Sequence, residues 1–386
     1  MSTSEVAVIW RSGLLPVSET FVRNQGDALP SWRPVYLGAN KVASPIAADS
    51  DVIAYPNTPA GRRGWHQLRA TGRSARLRRL LTRLKPTVVH AHFGGDGWLI
   101  SRTAQQLGVP LVVTLHGVDV TRQPAVPGLR GARHRHKLRV TFDRAAVIIA
   151  VSGFIRDRAV ELGADPAKVR VHYTGVPIPA EPSTAPKTWD VVFVGRFVDK
   201  KGADDLVEAL GLISPLRPRA LFIGAGPLEE STRTRAAQLQ VDATFLGAQP
   251  PEVVLQHMAQ AKMLAAPSRT ASDGDCEGLP TTVLEAASLG LPVVATQHSG
   301  IPEGVRHGET GLLCAERDRA ALAENIRRLL TDEPLRERLG RAAREHAVQT
   351  FDLRRQTQLL EELYESVASS RIAAPETADA AAPAPR

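Results

Sequence analysis

Short, charge-free runs rich in β-branched residues recur along this chain, with amphipathic stretches between them. The alternation breaks once, near the middle, at a proline-rich segment. Before the break, Val6–Trp10, Val35–Leu37, Val88–Ala91, Leu111–Leu115, Ala146–Val151 and Val169–Val171 have the length and composition of strands buried on both faces. Apolar residues at helical spacing fill the intervals at Ser18–Leu29, Gly64–Leu84, Asp96–Leu107, Leu129–Phe142 and Gly153–Leu162. Strand, helix, strand in succession predicts a parallel sheet covered on both faces, because parallel neighbours need a crossover. The segment Val176–Thr188 holds four prolines and can continue neither a helix nor a central strand.

The alternation then restarts. Asp190–Val194, Ala220–Ile223, Thr244–Leu246, Met263–Ala266, Pro292–Ala295 and Leu312–Cys314 read as strands. Helices fit Ala203–Leu212, Leu228–Leu239, Pro251–Ala261, Thr281–Leu289 and Arg319–Leu330, and two more follow at Pro334–Thr350 and Leu353–Val367. The expected class is α/β: two doubly wound, Rossmann-like units, 1–178 and 179–352, facing each other across a cleft at the carboxyl ends of their strands. The Ala/Pro-rich tail 369–386 has little to bury and is expected to be disordered.

Composition narrows the function. The 386 residues are enough for two self-sufficient cores. Cys276 and Cys314 are the only cysteines, which excludes a disulfide framework and a cysteine-built zinc site and fits a reducing cytoplasm. The start, MSTSEVAVIWRSG, has no basic-then-apolar leader, and the longest apolar run is far too short to cross a bilayer. The net charge is +8, yet the basic residues are not interleaved with stacking aromatics, so a nucleic-acid-binding protein is the weaker alternative and no nucleic acid partner is expected. Arg62, Arg63, Arg69, Arg73, Arg76, Arg78, Arg79, Arg83 and Lys85 lie in a stretch without acids, as do Arg122, Arg130, Arg133, Arg135, Lys137 and Arg139 in a second. These form either a solvated basic face or a surface for anionic lipid or a phosphorylated acceptor.

The chemistry concentrates in four motifs. In DGDCEGLPTTVLEA, Glu277 lies in a loop and Glu285 a turn into the helix that Pro280 or Thr281 opens. That helix start suits a phosphate, and each carboxylate can hold vicinal hydroxyls. In VVFVGRFVDKKG, Arg196 and Lys201 follow a buried strand, where cations fit the charge of a departing diphosphate. In LFIGAGP, Gly224 and Gly226 allow close backbone approach. In TLHGVDV, His116 and Asp119 are placed to face the cleft from the other side, with His92 a further acceptor-side candidate, although a structural role is the simpler reading of His90 and His92. Asp273 and Asp275 form an Asp-x-Asp pair; with the cations supplying neutralisation, no metal is expected.

Together these motifs, with SETFVRNQGDAL and VVHAHFGGDG, resemble the retaining GT-B glycosyltransferases of the large family that includes sucrose synthase, and within it the colanic-acid and amylovoran exopolysaccharide branch. The resemblance runs from Val6 to about Val367. It implies that Glu277 holds donor-sugar hydroxyls, Glu285 the ribose, and Arg196 and Lys201 the diphosphate. It places the Gly278, Leu279, Pro280 and Thr281 backbone on phosphate or sugar, and His116 near the reacting centre. Gly13 stands at the family's glycine-loop position, alone where many members have two. The last helix, 353–367, is implied to cross back onto the first domain. The implied activity is metal-independent hexosyl transfer, without a cofactor, from a nucleoside-diphosphate sugar to a glycan or glycolipid acceptor, with a small-molecule acceptor such as an aminocyclitol as the alternative; the basic stretches would hold the protein at the inner membrane face. A non-hydrolysing sugar-nucleotide epimerase is the enzymatic alternative.

Overall fold

The computed structural model describes residues 5–16, 19–42, 44–181 and 185–372. Their strands form two all-parallel sheets. The first has β1 (Val6–Leu14), β2 (Arg33–Lys41), β3 (Val52–Ile53), β4 (Val88–His92), β5 (Leu111–Leu115), β6 (Val147–Ala150) and β7 (Val169–Val171), in the order β3-β2-β1-β4-β5-β6-β7. The second has β8 (Trp189–Val194), β9 (Ala220–Ile223), β10 (Ala243–Phe245), β11 (Ala261–Ala266), β12 (Val293–Thr296) and β13 (Gly311–Cys314), in the order β10-β9-β8-β11-β12-β13. Each sheet's opening strand lies between neighbours reached in opposite directions: Val8 pairs with Val35 and Val89, and Val192 pairs with Leu221 and Leu264. At such a reversal the crossovers diverge and leave a crevice at the carboxyl ends.

The first sheet is covered by α1 (Thr20–Asp27), α2 (Pro59–Thr71), α3 (Ala75–Leu84), α4 (Gly94–Gln106), α5 (Arg122–Ala125), α6 (Gly128–Arg144) and α7 (Gly153–Glu161). The second carries α8 (Ala203–Leu212), α9 (Glu229–Gln238), α10 (Pro251–Ala259), α11 (Thr281–Ser288), α12 (Ile301–Gly304), α13 (Arg319–Thr331) and α14 (Glu333–Thr350). Strands β4, β5, β9, β12 and β13 are buried at every residue and rich in valine, leucine and alanine, as strands covered on both faces require, while β3, β7 and β10 at the sheet edges are only partly buried.

The expected single helix over Gly64–Leu84 is two. Gly72 takes a φ of 65° and ends α2 with its N–H on the Leu68 carbonyl, then Ser74 caps α3 by accepting the Leu77 N–H at 3.1 Å. Leu68, Leu77 and Leu81 point into the core while the arginines between them are exposed. The apolar half of this basic stretch is therefore packing, and only its charge faces outward. No helix among the described residues is long and apolar enough to cross a membrane.

The final helix, α15 (Leu353–Ile372), lies on the first sheet. Leu360, Tyr364 and Val367 pack with Ala7, Trp32, Val88, Val112 and Ile149. The Tyr364 hydroxyl lies 2.6 Å from His90 Nδ1, and Glu361 accepts the Ser31 and Trp32 N–H groups, each at 2.8 Å. The helix runs four residues into the tail expected to be disordered from 369; residues 373–386 lie outside the described residues. Chain crossings between the two sheets lie side by side: the Val176 N–H donates to the Phe351 carbonyl at 2.8 Å and the Leu353 N–H to the Val176 carbonyl at 3.0 Å.

Candidate active site

The carboxyl ends of both sheets meet around a cavity of about 1060 Å³. On the second sheet's side, β8 ends at Val194 and the chain turns through Gly195. Gly224, at a φ of 140°, lies against the Gly195 carbonyl so closely that a Cβ could not be accommodated. The following turn brings two lysines under the loop before α11. Lys200, buried, places Nζ 3.2 Å from both Asp275 Oδ1 and the Cys276 carbonyl and 3.9 Å from Glu277 Oε2. Lys201 Nζ lies 3.0 Å from Glu277 Oε1. The Glu277 N–H donates to His298 Nε2 at 3.1 Å, so His298 carries its proton on Nδ1, 2.7 Å from Glu316.

Burial pushes the Glu277 carboxyl up, but Lys201 and then Lys200 outweigh it and hold it down at about 2. Glu285 also lines the cavity; burial raises it to about 7, with Lys201 opposing. Arg196 is exposed at the cavity and makes no ion pair among the described residues. Gly278, Leu279, Pro280 and Thr281 line the same wall, and the first N–H groups of α11 open onto it. Gly278 is pressed against the His116 carbonyl of the opposite domain, a contact that leaves no room for a side chain.

The first sheet's wall is built from strand ends far apart in sequence. Arg11, inside β1 just past its last pairing with β4 at Trp10, binds Glu19 through Nε at 2.7 Å and also holds Asp96, in the first turn of α4. Phe21 and Phe93 flank His116, with ring centroids at 4.9 and 4.6 Å. Burial, with Arg11 and His90 adding like charge, lowers His116 to about 3, so its imidazole is neutral at ordinary pH. The domains touch beside this wall: Arg122 pairs with Asp273 at 2.7 Å, and Glu303 accepts the Gly153 N–H at 2.9 Å and the Tyr173 hydroxyl at 3.0 Å.

Ten of the residues singled out from sequence therefore meet at one cavity: Glu277, Glu285, Arg196, Lys201, Gly224, Gly278, Leu279, Pro280, Thr281 and His116. Four do not. Gly13 lies inside β1 opposite Asn40, because the strand runs on to Leu14 and leaves no glycine loop there. Gly226 abuts the Phe197 backbone rather than the cavity. Asp119 is 1% exposed, and its carboxylate accepts the N–H groups of Gly94, His116 and Gly117 at 2.9, 3.2 and 3.0 Å; it closes the strand-end turn and the start of α4. His92, also 1% exposed, stands behind the wall with Nδ1 3.0 Å from His116 Nε2. Asp273 and Asp275 each face a cation, Arg122 and Lys200.

The family described as Glycosyl transferases group 1 matches residues 178–346, and Glycosyltransferase Family 4 matches residues 19–178. A protein of Escherichia coli (strain K12) described as a colanic acid biosynthesis glycosyltransferase, WcaL, is 30% identical over 264 residues, 66% of this chain and 64% of that protein. The amylovoran biosynthesis glycosyltransferase AmsK of Erwinia amylovora is 29% identical over 256 residues, 63% of this chain and 61% of that protein. The chain thus spans less than two thirds of the length of these relatives. The crystal structure of Anabaena HepE in complex with UDP superposes with a TM-score of 0.77 at 19% identity, covering 94% of this chain and 100% of that one.

Proposed function

This chain belongs to the group 1 glycosyltransferases of GT-B fold, and from that premise we propose that it transfers a hexosyl group from a nucleoside-diphosphate sugar to an acceptor hydroxyl, with retention of configuration, in exopolysaccharide assembly. The observation that carries this reading is the meeting of Lys201, Arg196 and the amino end of α11 around the ionised Glu277 on one wall of the cavity. The diphosphate takes the free N–H groups and positive end of α11. Glu277, an acceptor only, takes hydroxyls of the hexose, and Glu285 takes the ribose. His116, neutral, reaches the sugar from the other wall.

In the transfer the bond from the sugar's anomeric carbon to the phosphate oxygen breaks and a bond to the acceptor oxygen forms on the same face. The acceptor's proton passes to the leaving phosphate. Arg196 and Lys201 stabilise the charge that develops there, so the chemistry is positioning and electrostatics. Since Asp273 and Asp275 already face protein cations, turnover is proposed to survive EDTA. The outward-facing arginines of α2 and α3 would bring the acceptor wall to an anionic membrane by charge alone.

The test is a panel of UDP-, GDP- and ADP-sugars scored by thermal shift and by release of the nucleoside diphosphate, with and without EDTA. At 100 times its dissociation constant, a true donor adds about 2.7 kcal/mol of stability. Glu277→Gln is expected to lower turnover steeply while leaving affinity for the free nucleotide little changed. No stabilisation by any member of the panel, or turnover that EDTA abolishes and Mg²⁺ restores, would overturn the corresponding part of the reading.

A further inference from the structure

Arg11 lies between two carboxylates on the first domain's wall, and the transfer chemistry above uses none of the three. Its Nε and Nη2 donate to Glu19 at 2.7 and 2.5 Å, and its Nη1 holds Asp96 Oδ2, which also accepts the Ser12 N–H at 2.7 Å. Glu19 and Asp96 are each 7% exposed. One guanidinium thus serves two buried carboxylates, a formal count of one negative charge in excess. Among the described residues, no free cation stands beside it on the first domain's wall: Arg122 is engaged with Asp273, His116 is neutral, and no lysine of that domain lines the cavity; the unpaired Arg196 lines the facing wall. Asp96 borders the cavity, and its Oδ1 has no hydrogen-bond partner among the described residues.

Beside this cluster stands an aromatic face. The Arg11 guanidinium carbon lies 4.3 Å from the centroid of Phe93, and Phe93 and Phe21 flank His116 on the cavity side. Phe93 takes a φ of 72°, a conformation that costs an aromatic residue energy and turns the chain between β4 and α4. A flat apolar face next to an unsatisfied carboxylate oxygen matches a pyranose ring, which offers axial C–H bonds on one side and hydroxyl donors at its edge.

We infer that Phe93, Phe21, Glu19 and Asp96 form an acceptor subsite for a hydroxyl-rich pyranose that bears no anionic group. The ring stacks on the aromatic face, one hydroxyl donates to Asp96 Oδ1, and the excess negative charge rejects a sugar carrying carboxylate or phosphate at that position. Arg11 holds the two carboxylates in place. The inference rests on the transferase reading for its donor half and adds the chemistry of the acceptor.

The experiment uses three 4-nitrophenyl β-glycosides: the glucoside, the glucuronide, which differs only by a carboxylate at C6, and the 2-amino-2-deoxyglucoside. Binding is measured by saturation-transfer NMR and calorimetry on the full chain loaded with the nucleoside diphosphate that gives the largest thermal shift. The glucoside and aminoglucoside are expected to bind, with the glucuronide about tenfold weaker. Glu19→Gln should shrink that penalty to within roughly threefold, and Asp96→Asn should do the same if the first variant fails to fold. A purely structural role would weaken glucoside and glucuronide equally. Glucuronide binding as tight as glucoside, an unchanged ratio in the variants, or no glycoside binding at about 10 mM would overturn the subsite. The nucleotide thermal shift, read on the same samples, reports the donor half separately.

Discussion

Glu277 and Glu285 stand on one wall of one cavity, eight positions apart, and their carboxyl groups are driven in opposite directions. Burial raises both. Glu277, carried by an extended loop, is delivered onto Lys201 at 3.0 Å and Lys200 at 3.9 Å and settles at about 2. Glu285, fixed one turn into α11, makes no ion pair among the described residues, feels only the longer-range attraction of Lys201 and rises to about 7. Desolvation is a property of the cavity, whereas neutralisation is a property of the last few ångströms. Two carboxylates of one motif can therefore do different work: one is a permanent hydrogen-bond acceptor, the other changes between acceptor and donor near neutral pH.

The sharpest way to break this contrast is to remove its cause. Lys201→Ala should cost about 2.7–4 kcal/mol of transition-state stabilisation, as loss of a single charge-stabilising donor does, and should raise the Glu277 carboxyl towards its ordinary range. Turnover with the donor found in the sugar-nucleotide panel and a carboxyl-carbon NMR titration read the two effects. A Glu277 that still titrates near 2 without Lys201 would mean that another group sets its charge.

A smaller effect lies in stability. Glu277 is lowered from 4.5, so its contribution is present above that value and is lost as pH falls towards about 2. Glu285 is raised from 4.5, so its protonated form favours the fold below that value, and this contribution is lost as pH rises through about 7. Glu285→Gln should then stabilise the fold at pH 8 but not at pH 4, by on the order of 1–3 kcal/mol, read as a higher melting temperature. Glu277→Gln should lower stability at pH 7. Equal shifts in both variants at both pH values would erase the distinction.

The smallest effect concerns Arg73, Arg76 and Arg79, which pair with no carboxylate among the described residues. Wild-type protein should co-sediment with anionic rather than neutral liposomes, and changing Arg73, Arg76 and Arg79 to Glu should abolish the preference, at about 1 kcal/mol per cation near the surface. Attachment that resists salt would contradict a purely electrostatic contact.

The second domain's wall was largely legible in the sequence because its parts are contiguous. The loop, the helix start and both carboxylates fall within Asp273–Glu285, and the cations follow directly on a recognisable buried strand. The facing wall was not, since Arg11, Glu19, Asp96 and Phe93 come from the ends of β1 and β4 and the segments after them, and only the parallel register brings them together. A lone arginine directly after VAVIW was a usable signal, because a charge placed where a buried strand loses a pairing neighbour points into the crevice. Asp119 misled for a related reason: polar residues at strand ends also serve to satisfy the backbone there, and spacing does not separate the two uses, whereas the simpler, structural reading of His92 agrees with its place behind His116. The two-residue β3 carries too little pattern to be read at all, and Gly72 and Ser74, which split α2 from α3, were outweighed by the leucine periodicity around them.

The side-by-side crossings at Val176 and Phe351–Leu353 limit how the two halves can move. A single linker would leave the halves three rotations. Two backbone segments bonded to each other at one edge suppress twist and sideways swing and leave one easy rotation, about the line joining them. Glu303, clasping Gly153 and Tyr173, adds a further tether across the halves. Opening of the cavity would then be motion along a single coordinate, so any ligand that enters and any that leaves passes through the same sequence of shapes, and a change at the crossings should alter the rates of entry and exit together.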